Sequence, residues 1–189
     1  AVRAQLIAGK RVVVLTSAQE LKDQDGTMQL IQELAPDFEL TDSTGTTVRF
    51  DAPAEDLRAQ LEALTFTETN APVAPRSEVF DVSGIDAIAD WDKRTERDER
   101  DEVQVVGRTP SMLRVTSSWG AALLSSDEPD VEIARVKPVR GGELILFIQD
   151  GFWRNETLGN AEWERPSAEG KPSESLQYRF LDYLKTPVE

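Results

Sequence analysis

Downstream of Arg76 the chain is cut into short β-favouring runs: Val79–Val82, Val103–Val106, Met112–Thr116, Val131–Val136 and Leu144–Ile148, set apart by Gly, Pro or Ser/Asp-rich breaks. Segments this short and this rich in branched apolar residues are strand-sized, and they bury their surface by pairing in sheets. None approaches the roughly 20 apolar residues of a bilayer span. The expectation is a soluble protein made in the cytoplasm, with no membrane partner. The start, "AVRAQLIAGK", reads as a mature terminus after loss of the initiator methionine, because it lacks the apolar core of a secretion signal.

Upstream of Arg76 the pattern is mixed. Arg3–Ala8 and Arg11–Thr16, separated by Gly9-Lys10, read as a hairpin. Ser17 can cap the next segment with Glu20 at the capping-box position, and Leu21, Met28, Ile31 and Leu34 give a helical stripe. Gly26 interrupts it, so one helix or two short pieces are both open. "FELTDSTGTTVRF" alternates about Ser43-Thr44-Gly45 as a second hairpin, and "PAEDLRAQLEAL" is a helix with a proline in its first turn and Leu57, Leu61 and Leu64 on one face. Asn70 to Arg76, with two prolines, reads as an extended connection.

Near the C-terminus, the Asp-Gly of "ELILFIQDGFW" signals a hairpin turn, and Gly141-Gly142 supplies a bend before it. In "LQYRFLDYL" the alternation of Leu176, Tyr178 and Phe180 favours a strand for the first half, although Leu176, Phe180 and Leu184 also fit a helix. The resulting expectation is an α+β, β-rich fold: an antiparallel β-sandwich or barrel-like sheet with one or two helices in the N-terminal third, forming a single domain over residues 1–189.

Several chemistries are excluded. The chain has no cysteine and no histidine, which removes disulfides, thiolate and imidazole metal sites, and the usual general base. No G-x-S-x-G elbow or glycine-rich phosphate loop is present. "DQDG", Asp23 to Gly26, fails as a calcium loop: aligning Gly26 puts Leu21 at the first ligand position and Gln32 at the bidentate one. No catalytic residue, cofactor or metal is expected, and the protein is not expected to be an enzyme. With 35 acidic against 21 basic residues the formal charge is −14, which disfavours nucleic acid as a partner and suits a basic one.

One segment stands apart. "DKRTERDERDE", Asp92 to Glu102, carries ten charges in eleven residues. As a helix its like-charge and opposite-charge pairs nearly cancel, and as a strand it has no apolar face. It reads as a solvated loop, or as an arm that meets another subunit, where alternating charge sets register. Arg94, Glu96, Arg97 and Arg100 are its candidate subunit contacts. Phe152 and Trp153, beside the Asp-Gly turn, join them, since aromatics anchor interfaces, against the plainer reading of core packing. Trp91, Trp119 and Trp163 read as core.

The segments "ELILFIQDGFW", "RNETLGNAEWERPSAEGKPSES" and "LQYRFLDYL" together resemble the late strands of phage tail-tube and related virion proteins, over about the last third of the chain. That resemblance implies a homo-oligomeric ring stacked with neighbouring structural proteins and incorporated in a virion, its acidic lumen letting DNA pass. The expected function is a non-enzymatic structural subunit that self-assembles. An acidic binding module (inhibitor, immunity protein or nucleic-acid mimic) is the alternative, and a carboxylate-based hydrolase the third.

Overall fold

The computed structural model describes residues 1–23, 25–69, 104–106, 111–153, 164–166 and 171–188. In chain order the elements are α1 (Val2–Ile7), β1 (Arg11–Leu15), α2 (Ala18–Asp23), α3 (Asp25–Leu34), β2 (Glu39–Asp42), β3 (Thr47–Arg49), α4 (Ala54–Ala63) and β4 (Glu68–Thr69). Then follow β5 (Gln104–Val106), β6 (Met112–Leu113), β7 (Val115–Thr116), β8 (Ala121–Ser125), β9 (Glu132–Val139), β10 (Gly142–Phe147), a 3-10 turn (Asp150–Trp153), β11 (Glu164–Pro166) and α5 (Lys171–Lys185).

The organising element is a four-stranded sheet in the order β1-β10-β9-β8. β10 pairs antiparallel with β9 through the Arg140-Gly141 turn, whose φ values are 56° and 92°, and parallel with β1, with Arg11 opposite Glu143 and Leu15 opposite Phe147. Both of its faces are covered, which explains the unbroken apolar run of its sequence. Leu144, Leu146 and Ile148 enter a core with Leu6 of α1, Leu21 of α2, Ile31 of α3 and Leu57 and Leu61 of α4. Ile145 and Phe147 enter a second core with Phe152 and with Leu176 and Phe180 of α5. The sheet is thus a middle layer between N-terminal helices and a C-terminal helix. The smaller sheets β3-β2-β7, β4-β6 and β11-β5 complete an α+β fold whose described sheets are open rather than closed into a barrel.

The second hairpin (β2–β3), the Pro53 helix (α4) and the strands at 104–106, 132–139 and 142–147 form where their patterns place them, while the run Met112–Thr116 is split into β6 and β7, which join different sheets. Gly26 separates nothing by itself, but the stripe does fold as two pieces, α2 and α3. Ser17 caps the first of them, its Oγ accepting from Glu20 N at 2.9 Å. Val79–Val82 lies outside the described residues.

Three expectations are corrected. Arg3–Ala8 belongs to a helix, not a hairpin strand: Ala4, Gln5 and Leu6 are strong helix formers, Leu6 alone is buried, and Lys10 N closes the end by donating to Gln5 O at 3.0 Å. The N-terminal third therefore holds four helices rather than one or two. Leu176–Leu184 is helical along its length, because Leu176 and Phe180 are buried while Tyr178, which a strand would place beside them, is 47% exposed. The Asp-Gly after β10 opens a 3-10 turn and no hairpin, since both neighbours of β10 are already β9 and β1. No helix among the described residues is long and apolar enough to cross a membrane.

Close approach decides Gly142. A Cβ on Gly142 would run into the carbonyl oxygens of Lys10 and Leu6, where α1 and β1 cross the start of β10. Gly142→Ala is expected to cost about 2–3 kcal/mol in urea unfolding because two backbone segments have to move. Gly26→Ala, with open space around it in α3, is expected to gain about 0.5 kcal/mol.

Candidate functional site

Among the described residues, a groove of about 730 Å³ runs along β8, lined by Thr116, Gly120, Ala122, Ser125, Ser126 and the 128–131 part of the connection that follows. The β8–β9 connection is shaped by its own polar residues. Ser126 N donates to Val131 O at 3.0 Å, Glu128 N donates to Ser126 Oγ at 3.1 Å, and Asp130 takes a φ of 64°. Arg114 fastens it from β6–β7, donating Nη2 to Glu128 Oε2 at 2.7 Å, and Thr69 Oγ1 donates to the same oxygen at 2.9 Å.

Arg135 lies at the base of this groove and is 8% exposed. Its Nε donates to Trp119 O at 2.6 Å, Nη2 to Gly120 O at 2.8 Å, and Nη1 to both carboxylate oxygens of Glu132 at 2.7 Å. A guanidinium so engaged holds the Trp119-Gly120 turn and the Glu132 carboxylate in place. The groove is therefore an acid-rimmed surface whose arginine is engaged by partners of its own chain.

Among the described residues, three groups titrate away from their ordinary values. Burial pushes Asp42 up, but hydrogen bonds from Thr65 N, Thr44 Oγ1, Thr46 N and Thr44 N outweigh it and hold the carboxyl below its ordinary value. Asp37 is held down first by its bond to Lys137, and it also accepts from Trp119 Nε1 at 3.1 Å. Burial first, then the Glu143 carboxylate, pushes the Tyr183 phenol up. All three tie elements together: Asp42 the β2–β3 turn to the end of α4, Asp37 the β2 entry to β9, and Tyr183 α5 to β10.

Asp42 supports an acid-side prediction. Its carboxyl titrates lower in the folded chain than in the unfolded one, so its stabilisation is present above the ordinary value of 3.8 and is lost as pH falls through the depressed one. Asp42→Ala is expected to cost about 2 kcal/mol at neutral pH. The difference from the parent protein should shrink in denaturant titrations carried into acid, as pH falls through the depressed value and the carboxyl gains its proton in the folded chain too.

Among the candidate contacts, Arg94, Glu96, Arg97 and Arg100 lie outside the described residues, as do Trp91 and Trp163. Phe152 is completely buried, and Trp153 packs half-buried against it and Phe147, at ring separations of 5.1 and 5.3 Å. These two side chains build the second core of their own chain, as the plainer reading of tryptophan had it. Trp119 is likewise core, edge-on to Phe38 at 5.9 Å. Among the described residues, Trp153 Nε1 and Gln177 Oε1 are buried without a hydrogen-bond partner, although Gln177 Nε2 donates to Phe152 O. Among the described residues, no group of three or more acidic side chains is arranged to hold a metal ion.

What sequence reasoning missed are two arginines, Arg11 and Arg135. Each sits in a strand among apolar neighbours, where a charge needs a buried partner. That interruption was the signal that could have found them.

The four-stranded sheet also ends in two outer strands. β8 is irregular, with register shifts against β9 between Ala122 and Leu124 and between Leu124 and Ser125. β1 runs in unbroken register against β10, and no described strand lies on its other side. No family model, no curated protein and no solved structure matches this chain.

Proposed function

We propose that this chain is a non-enzymatic structural subunit that self-assembles into a larger particle. The observation that carries this reading is the central sheet with both outer strands uncovered by any described strand. Exposed strand edges are templates for pairing with another chain. Supporting it, the shifted ionisable groups Asp37, Asp42 and Tyr183 are bound into contacts between elements rather than turned towards the groove. The tail-tube version of the proposal needs strands near the C-terminus where α5 stands, so the particle itself is left unspecified.

The acid-rimmed groove favours a second reading, an acidic module for a basic partner, through Glu128, Asp130 and Glu132 beside Arg135. Sedimentation over a wide micromolar range separates the two. Discrete oligomers or filaments that grow with concentration are expected. A monomer throughout, joined one-to-one by a basic protein in a salt-sensitive complex, would establish the binding module instead.

A further inference from the structure

The edge of β1 carries a specific form of this assembly, and the inference rests on the self-association proposed above. The hydrogen bonds at the two ends of β1 fix which way its backbone points: Glu143 N donates to Lys10 O at 3.3 Å, and Thr16 N donates to Phe147 O at 3.0 Å. Residues 10, 12, 14 and 16 therefore face β10, and the N–H and C=O groups of Arg11, Val13 and Leu15 face the open side. Among the described residues no strand meets them.

Proteins ordinarily blunt such an edge with a charged side chain, a proline or a bulge. Here the only charged residue of the strand is Arg11, and its guanidinium is folded back into the chain. Its Nε donates to Glu143 Oε2 at 2.5 Å and its Nη1 donates to Tyr183 O at 2.8 Å and Thr186 O at 3.0 Å. The rest of the strand is Val-Val-Val-Leu, with Leu15 56% exposed. The opposite edge, β8, is broken by its register shifts. One edge is blunted and the other is left able to pair.

We infer that β1 pairs antiparallel with β1 of a second copy about a two-fold axis through Val13, joining the two central sheets. The strand fits itself. Val13 meets Val13 of the second copy as a hydrogen-bonded pair, and Arg11 of each copy meets Leu15 of the other, so every outward group finds a partner. Charge permits it as well. Although the chain is at −14, β1 itself has no acidic residue, and its one charge, Arg11, is paired with Glu143 of its own chain. The antiparallel register also keeps the two Arg11 residues at opposite ends of the joint. Leu15 of one copy arrives at the end where Ile7 of the other, 62% exposed, precedes the strand.

The test compares the parent protein with Leu15→Lys and Leu15→Glu in sedimentation velocity, with circular dichroism to show that each is folded. Leu15 is exposed, so both variants should keep the fold. Leu15→Lys places a like charge opposite Arg11 of the second copy in both halves of the joint and is expected to weaken dimerisation about tenfold or more. Leu15→Glu, opposite Arg11 of the second copy, is expected to dimerise within about threefold of the parent. If the parent associates and neither variant changes it, the β1 pairing is wrong while the assembly reading stands. Equal weakening by both variants overturns the antiparallel register. A parent that remains monomeric overturns this inference and the assembly reading together.

Discussion

Replacing Phe147 with alanine is expected to lower the free energy of unfolding by about 3–5 kcal/mol, at the upper end of what a single core truncation costs. Phe147 is completely buried at the end of β10. Its ring meets Phe180 at 4.9 Å edge-on, Trp153 at 5.3 Å edge-on and Phe152 at 5.9 Å nearly stacked. One side chain thus joins the middle strand, the 3-10 turn and α5. Its removal costs the transfer energy of a phenyl ring, the cavity left among partners that cannot collapse independently, and the aromatic contacts themselves. A domain of this kind has about 5–15 kcal/mol in all, so the variant should sit close to its unfolding transition. Chemical denaturation read by tryptophan fluorescence measures the loss. A cost below about 1 kcal/mol would show that the second core is loosely packed around it.

Arg11→Ala is expected to cost about 3 kcal/mol. The Arg11 and Glu143 side chains are only 8% and 19% exposed, and removing the cation leaves Glu143 in the interface between β10 and α5 without its charge partner. The carbonyls of Tyr183 and Thr186 lose their donor too, and the guanidinium no longer lies over the Tyr183 ring, 4.2 Å from its centroid. Hydrogen exchange should therefore rise first at the C-terminal end of α5. Arg3→Ala, which breaks an exposed pair with Glu33, is the control and should stay within about 0.5 kcal/mol of the parent.

The same junction gives an alkaline signature. The Tyr183 phenol titrates higher in the folded chain than in the unfolded one, so its contribution is full below the ordinary value of 10.0 and is lost as pH rises through the raised one. Tyr183→Phe should remove that part of the alkaline fall in stability.

The tie between Arg11 and α5 bears on assembly as well. The guanidinium that would otherwise guard an open strand edge is engaged in fastening a helix 172 positions further along the chain. Stability and the freedom of the β1 edge are in this way set by the same side chain. Arg11→Ala is thus a poor probe of self-association, and the Leu15 variants are the appropriate one.

Elements whose signals are local were legible in the amino-acid sequence. The branched runs Arg11–Thr16, Val131–Val136 and Leu144–Ile148 became the strands β1, β9 and β10, shifted by a few residues at their ends, and Pro53 with three leucines at helical spacing became α4. Composition also settled that no cysteine or histidine chemistry operates, since those residues are absent. Where two periods overlapped, pattern could not choose. In Leu176–Leu184 the alternation and the four-residue spacing share Leu176 and Phe180, and only the cover that α5 gives to Ile145 and Phe147 decided for the helix. Arg3–Ala8 likewise became a helix through Leu6 packing on the sheet. The candidate contacts Phe152 and Trp153 went to the core because β10 already had neighbours on both sides, which left the Asp-Gly turn no strand to pair. Partners of Arg11 and Arg135, and with them which strand edge stays open, depend on residues far apart in the chain. Local pattern encodes how each segment bends, whereas burial is a property of what the rest of the molecule places against it.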